Sequence, residues 1–203
     1  MVEKMDKDFS TKEKQNDILK KWQRAADFFD ENFTNRLVSY CYKKDGAFYE
    51  ITIRFQKHNF QHLMGIHYDR GASRFWSHVV KGNVDFSSVK VNSYNAKKYK
   101  PYSNDKRSVF VKKLNALQDL DSLIKKQVRI VESGRIGNVV FEHLIRSHRV
   151  TIALATKREN NSVSEYILSN INLDNELSSK HRGYPVINLY SCNLQGGDEK
   201  FYF

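Results

Sequence analysis

Residues Ala47 to His67 read AFYEITIRFQKHNFQHLMGIH. The first half alternates: Ala47, Tyr49, Ile51, Ile53 and Phe55 point one way, and Phe48, Glu50, Thr52 and Arg54 the other. Successive side chains of extended backbone leave on opposite sides, so a period of two marks a strand with one face in the core. The period then changes. Phe60, Leu63 and Met64 stand at i, i+3 and i+4 and share one face of a short helix. Asn59 is placed to cap that helix and Gly65 to end it in the left-handed conformation. His62 lies off the apolar face, held by rigid structure on both sides yet open to solvent or a ligand. An imidazole in that position suits proton transfer, because it titrates near neutrality. The same spacing also suits an ordinary surface histidine.

Working outward, Arg36 to Lys43 alternates at Val38, Tyr40 and Tyr42. Asp45-Gly46 is a tight-turn dipeptide that tolerates positive φ, so the two runs predict an antiparallel hairpin. Upstream, Ser10-Thr11-Lys12-Glu13 fits a capping box, in which the hydroxyl takes a backbone donor and Glu13 reaches back. Ile18, Leu19, Trp22, Ala25, Ala26 and Phe29 then recur at helical spacing to about Asp30, an apolar stripe that packs on the body. Residues 1–34 therefore read as a helical lead and 35–203 as the main domain.

Downstream, Ala72 to Lys81 reads as a helix with Phe75, Trp76, Val79 and Val80 inward and Arg74, His78 and Lys81 outward, stopped by Gly82. Asp85 to Val89 reads as a further helical turn. Between Lys90 and Lys113 eight cations (Lys90, Lys97, Lys98, Lys100, Lys106, Arg107, Lys112 and Lys113) stand against one acid, Asp105, with Tyr94, Tyr99 and Tyr102 interleaved. Cations neutralise phosphates and flat rings stack on unpaired bases, so Lys90, Lys97, Lys98, Tyr99, Lys100, Tyr102, Lys106, Arg107, Lys112 and Lys113 are the candidate RNA-binding residues. A solvated basic loop has the same composition. Asp105 to Gln127 is helical by the spacing of Phe110, Leu114, Leu117, Leu120, Leu123 and Ile124, in one or two segments. From Val128 the pattern turns to strands: Val128–Val131, Val139–Ile145, Val150–Thr156, Glu165–Ile171 and Val186–Tyr190, the first three separated by Gly134, Gly137 and Ser147–Arg149. Phe201-Tyr202-Phe203 is apolar enough to dock the C-terminus.

The 203 residues, 40% hydrophobic and 13% aromatic, exclude a disordered chain and allow one sizeable core. No apolar run approaches a membrane span, and MVEKMDKDFS has no apolar signal core, so a cytoplasmic protein with no membrane partner is expected. Cys41 and Cys192, far apart and outside any CxxC spacing, read as reduced thiols. A net charge of +11 points to polyanionic partners. There is no Walker loop, GxGxxG or HExxH and no dense carboxylate cluster, so neither a cofactor nor a metal is expected. Metal-free cleavage of RNA requires a base for the ribose 2′-hydroxyl, an acid for the leaving 5′-oxygen and cations or donors for the phosphoryl oxygens. By residue type the candidates are His62; Arg146, His148 and Arg149 in the turn before a strand; Thr156 and Lys157 at that strand's end; and Tyr166 and Ser169.

An aromatic strand end followed by K-x-N-F-x-H-L-x-G-[IL] stands here as Phe55, Lys57, Asn59, Phe60, His62, Leu63, Gly65 and Ile66. It resembles the phage-type Barnase–EndoU–colicin–RelE-like nucleases, fourth group, over roughly 35–174. The leucines following Lys112-Lys113 resemble the family as well. So does a strand of small and apolar residues, Ala153 to Lys157, followed by Y-x-x-S-x-[IL] at Tyr166, Ser169 and Ile171. The resemblance implies a ribonuclease-like fold on a mobile element and a site grouping His62 with Tyr166 and Ser169, with Lys157 nearby. His148 is the reserve. This chain has Ile167-Leu168 between Tyr166 and Ser169, where the family often has a proline.

The fold expected is α+β: N-terminal helices and a twisted antiparallel sheet, with a basic groove on the sheet face or rim. The function expected is metal-independent endoribonuclease action leaving 2′,3′-cyclic phosphate ends, on an RNA of the guide or transfer class. The alternative is an anti-CRISPR inhibitor of a type II effector nuclease, a host defence protein, acting on guide RNA or its loading with or without cleavage. A toxin with an unlinked antitoxin is a third reading. The need for His62 separates a cutter from an occluder.

Overall fold

Asp45 and Gly46 both take positive φ, 49° and 86°, and this turn joins β1 (Arg36–Lys44) to β2 (Ala47–Arg54) in the expected antiparallel hairpin. The computed structural model describes residues 11–91, 105–137, 139–147, 152–158, 162–172 and 181–203. Upstream of the hairpin, α1 (Lys12–Asn32) is capped by Thr11, whose hydroxyl accepts from the Lys14 amide at 3.3 Å. With Thr11 as the cap, Lys14 and not Glu13 stands at the third helical position, so the cap falls one residue after the start of the expected box; Ser10 lies outside the described residues.

After β2 the chain makes a 3-10 turn (Lys57–Asn59), α2 (Phe60–Leu63), β3 (Ile66–Tyr68) and α3 (Ala72–Val80). A 3-10 turn (Phe86–Ser88) capped by Asp85 leads into β4 (Val89–Val91), which pairs with β3. Helix α4 (Asp105–Ala116) runs on into 3-10 turns (Leu117–Ile124), the two-segment form of the expected helix. Then come β5 (Val128–Ile136), β6 (Val139–Ser147), β7 (Ile152–Arg158), β8 (Glu165–Asn172), β9 (Tyr184–Asn193) and β10 (Lys200–Phe201).

The large sheet is antiparallel, as expected, at every joint but one among the described residues. Its order is β1-β2-β8-β7-β6-β5-β9-β10, and β9 also pairs with β1, so seven strands close a ring. One joint is parallel: β2 meets β8 at Ile53↔Glu165 and Arg54↔Tyr166. All the intervening helices lie between these two strands in sequence, and a long crossover is what a parallel pair needs. The β5–β9 joint is also narrow, at Arg129↔Pro185 and Ile130↔Tyr184. Closure removes most free strand edges.

Tyr40, Ile53, Ile130, Ile145, Leu154, Ile167 and Leu189 are fully buried on the inner face and join Trp22, Phe29, Phe60, Leu63 and Phe75 of the helices in one core. Phe29 stacks on Phe55 at 4.6 Å, and Phe60 meets Trp76 edge-on at 4.9 Å. Helix α1 thus packs against the segment that carries His62. A smaller cluster (Phe141, Leu144, Ala153, Ala155, Ile171) fills the other face of β6–β8.

Three local expectations are corrected. Val80 is 51% exposed, because the buried face of α3 closes at Phe75, Trp76 and Val79. Gly134 does not separate strands. It pairs with Phe141 inside β5, and that ring would lie 3.0 Å from a Cβ there, so the aromatic covers the bare backbone. Arg146 lies in β6, not a turn, and its buried guanidinium donates to the Ser147 and His181 carbonyls at 3.1 and 2.6 Å. The C-terminus docks as expected: the Tyr202 amide donates to the Leu189 carbonyl at 2.9 Å. No helix among the described residues is long and apolar enough to cross a membrane.

Candidate functional site

The apolar triad sets the aim of His62. Phe60, Leu63 and Met64 are all fully buried, which leaves His62 on the exposed side of α2. The cap differs from expectation: Asn59 is itself helical (φ −77°, ψ −12°), and the extended residue before the turn is Gln56. Asn59 instead faces Gln56 Oε1 and the Ile167 carbonyl at 3.5 Å, which sets α2 against β8. Gly65 ends the helix with φ +73°.

A second group arrives from α4. Lys113 lies three residues after the buried Phe110 and one before Leu114, so it borders the apolar face of that helix. The sequence reading groups it with the basic loop. In the structure its stem crosses Gly65 closely enough that a Cβ there would stand 2.9 Å from Lys113 Cδ. Its ammonium donates to the His62 carbonyl at 3.1 Å and to Ser169 Oγ at 2.8 Å. Ser169 donates onward to the Asn170 carbonyl at 3.0 Å. Ser169 is reached at a register shift: Ala155 pairs with Ser169 and Thr156 with Ile167, so Leu168 is left out of the ladder. Gly65, Lys113 and Ser169 therefore lock α2, α4 and β8 together directly beneath His62.

The electrostatics follow from that packing. Burial pushes the Lys113 ammonium down to about 8. Partial burial first, then the cation of Lys113 and the neighbouring His58 and His67, hold the His62 imidazole below its usual value. At neutral pH the site therefore presents a neutral imidazole beside an ammonium that releases its proton far more readily than an ordinary lysine.

The other sequence candidates separate. Tyr166 and Lys157 face each other across β8 and β7, with Arg54 opposite Tyr166 on β2; Tyr166 is half-buried and Lys157 exposed. Among the described residues no hydrogen bond joins either of them to His62 or Lys113. Thr156 is buried and donates to Glu165 at 2.6 Å. Lys90 sits on β4 and pairs with Asp69 at 3.0 Å. Lys106 and Arg107 lie on α4, and Lys112 is exposed there. His148, Arg149, Lys97, Lys98, Tyr99, Lys100 and Tyr102 lie outside the described residues.

One group escapes the sequence reading altogether. His143 Nδ1 lies 2.8 Å from Glu165 Oε1 on the inner face of the ring. The available signal was that His143 shares the strand face of Ile145, an inward position for a polar side chain. Among the described residues no three His, Cys, Asp or Glu side chains group as metal ligands.

A family model described as phage-Barnase-EndoU-ColicinE5/D-RelE like nuclease4 matches residues 21–194. The matched span runs from within α1 to just past β9 and includes His62, Lys113, Ser169, His143 and Glu165. No curated protein and no solved structure matches the chain.

Proposed function

The chain belongs to the phage-Barnase-EndoU-ColicinE5/D-RelE-like nuclease family, fourth group, and on that premise we propose that it is a metal-independent endoribonuclease working through His62. The observation that carries this reading is the fixed ammonium of Lys113, held 3.1 Å from the His62 carbonyl and 2.8 Å from Ser169 Oγ. Neutral His62 takes the proton of a ribose 2′-hydroxyl. The 2′-oxygen bonds to phosphorus as the bond to the 5′-oxygen breaks. Lys113 offsets the charge on the phosphoryl oxygens and gives a proton to the leaving oxygen, a transfer that its lowered proton affinity favours. Ser169 holds Lys113 in place. The products are a 5′-hydroxyl and a 2′,3′-cyclic phosphate.

The cations between Lys90 and Lys113 hold the phosphates of the substrate, and Tyr166 with Lys157 extends the contact along β7 and β8. The substrate is an RNA of the guide or transfer class in the host cytoplasm. The experiment is to incubate the purified protein with end-labelled transfer RNA and guide RNA in excess chelator and map the ends. Cyclic phosphate ends support the reading. Cleavage abolished by chelator, or 3′-hydroxyl ends, contradicts it. Tight binding without any cleavage supports instead an occluding inhibitor of a type II effector nuclease.

A further inference from the structure

The seven-stranded ring carries a second titratable cluster that the His62 centre leaves unused. Glu132 on β5 pairs with His143 on β6, and His143 pairs with Thr156 on β7. These residues succeed one another on the inner face, one pleat beyond Ile130, Ile145 and Leu154 toward the hairpin turns. Glu165 completes the row from β8. It is 1% exposed and has three partners: His143 Nδ1 at 2.8 Å, the Thr156 hydroxyl at 2.6 Å and Arg158 Nη2 at 3.3 Å. Burial works to raise its carboxyl, but the hydrogen bonds from His143 and Thr156 and the nearby charges outweigh it and hold the group below the usual range.

An ionised carboxylate only accepts hydrogen bonds, so Nδ1 of the His143 ring carries a proton toward Glu165. In the neutral ring that bond fixes the tautomer and leaves the lone pair on Nε2. Among the described residues Nε2 makes no hydrogen bond, and the His143 side chain keeps 17% of its surface open. A purely structural histidine has no need of a bare, solvent-reaching nitrogen. A base does, and a carboxylate behind the ring is what orients one.

The opposite wall is aromatic. Tyr42 stacks between Tyr49 and Tyr184, with ring centroids 5.6 and 5.9 Å away. It is joined to the charged wall through Glu132, which meets the Tyr42 hydroxyl at 3.5 Å and Lys44 at 2.7 Å. Tyr49 is 45% exposed, on a part of β2 that has no β8 partner among the described residues. An exposed flat ring joined to an acid–base pair through Tyr42 and Glu132 suits an unpaired nucleotide.

We propose that this end of the ring is a second acid–base centre for RNA, with His143 Nε2 as the base, Glu165 as the residue that positions it and Tyr49 as the stacking face for a nucleobase. The proposal rests on the reading that the substrate is RNA, but not on His62. His143 Nε2 takes the proton of a 2′-hydroxyl while the 2′-oxygen bonds to phosphorus and the bond to the 5′-oxygen breaks. The 5′-oxygen takes a proton from water, and the hydroxide so formed takes the proton held by His143, which restores the neutral ring. The half-exposed guanidinium of Arg158, which lies 3.3 Å from Glu165 and 3.9 Å from Glu142, is the nearby cation that offsets the charge on the phosphoryl oxygens.

The test uses His143→Asn in the full chain. Asparagine keeps an N–H toward Glu165 and deletes Nε2, so the network survives while the base is lost. In excess chelator, His62→Gln is expected to retain residual cleavage at a subset of positions. Adding His143→Asn is expected to lower that residue at least tenfold at an unchanged thermal midpoint. Adding Glu165→Gln instead is expected to lower kcat with KM unchanged, a split that a structural role would not produce. Residual cleavage unaffected by His143→Asn overturns the proposal, as does its complete absence in His62→Gln. Full cleavage by His62→Gln, abolished by His143→Asn, supports this centre and removes the His62 reading. Titration with a 2′-O-methyl oligoribonucleotide, which cannot be cut, is expected to shift the His143 ring resonances in His62→Gln. Unmoved resonances overturn the proposal whether or not the wild type cleaves.

Discussion

Gly65→Ala deletes no group from the His62 centre, yet it is expected to disable it. Two costs add. Alanine at φ +73° costs about 1–2 kcal/mol through its left-handed backbone. Its Cβ also comes 2.9 Å from Lys113 Cδ, in the middle of a stem fixed at both ends. One end is rooted in α4, and the other donates to the His62 carbonyl and Ser169 Oγ. The stem has to move, and losing one hydrogen bond from a charged donor costs about 1.5–3 kcal/mol. The sum is about 2.5–5 kcal/mol, a fall in thermal midpoint of roughly 5–20 °C at about 2–4 °C per kcal/mol for a chain of this size. Cleavage is expected to fall about a hundredfold, the scale for losing one preorganised electrostatic group. Thermal unfolding and single-turnover cleavage in chelator read both effects. Lys113→Ala in the same chain removes the obstructing stem, so the double variant should pay only the backbone part of the Gly65→Ala penalty. Strictly additive penalties, or wild-type cleavage by Gly65→Ala, refute the claim that Gly65 is there to let Lys113 pass.

Three further outcomes are expected. The pH–rate profile is a bell: activity rises as His62 loses its proton, at a pH below its ordinary 6.5, and falls as Lys113 loses its own near pH 8; a rate still rising through pH 9 contradicts this assignment. Phe60→Ala removes a fully buried ring that touches Phe29, Phe75 and Trp76, and a loss of about 3–5 kcal/mol is expected in denaturant unfolding; an unchanged midpoint means that the buried face of α2 is misassigned. Replacing Lys97, Lys98 and Lys100 together by alanine should flatten the dependence of RNA affinity on salt, by roughly 0.7 log units for each phosphate no longer neutralised; an unchanged slope puts the RNA surface elsewhere.

The hairpin and the aim of His62 were legible because both rest on local rules. Alternation assigned the buried face of β2 at Ile51 and Ile53, though not at the exposed Ala47 and Tyr49; Asp45-Gly46 supplied two residues at positive φ, and i, i+3, i+4 spacing buried Phe60, Leu63 and Met64. Ring closure was not legible: periodicity says which face of a strand is buried but not which strand lies beside it, so the parallel joint at Ile53 and Glu165 left no local trace. Gly134 and Arg146 misled for one reason, since each is a loop-type residue whose partner, the Phe141 ring or the His181 carbonyl, is remote in sequence. In the sequence Lys113 is one cation of the basic run, and only the missing side chain at Gly65 shows why it turns inward. His143 and Glu165 stand 22 residues apart on different strands, and only the register brings them together.

The most direct test of the His62 centre compares wild type with His62→Ala on end-labelled guide and transfer RNA in excess chelator, with thermal unfolding and RNA affinity measured on the same samples. His62 is exposed and its neighbours fill the core, so folding and affinity should stay close to wild type. Cleavage to 2′,3′-cyclic phosphate ends should fall about a hundredfold or more, the scale for a lost acid–base group. Equal cleavage by the two proteins would contradict the account and take His62 out of the mechanism.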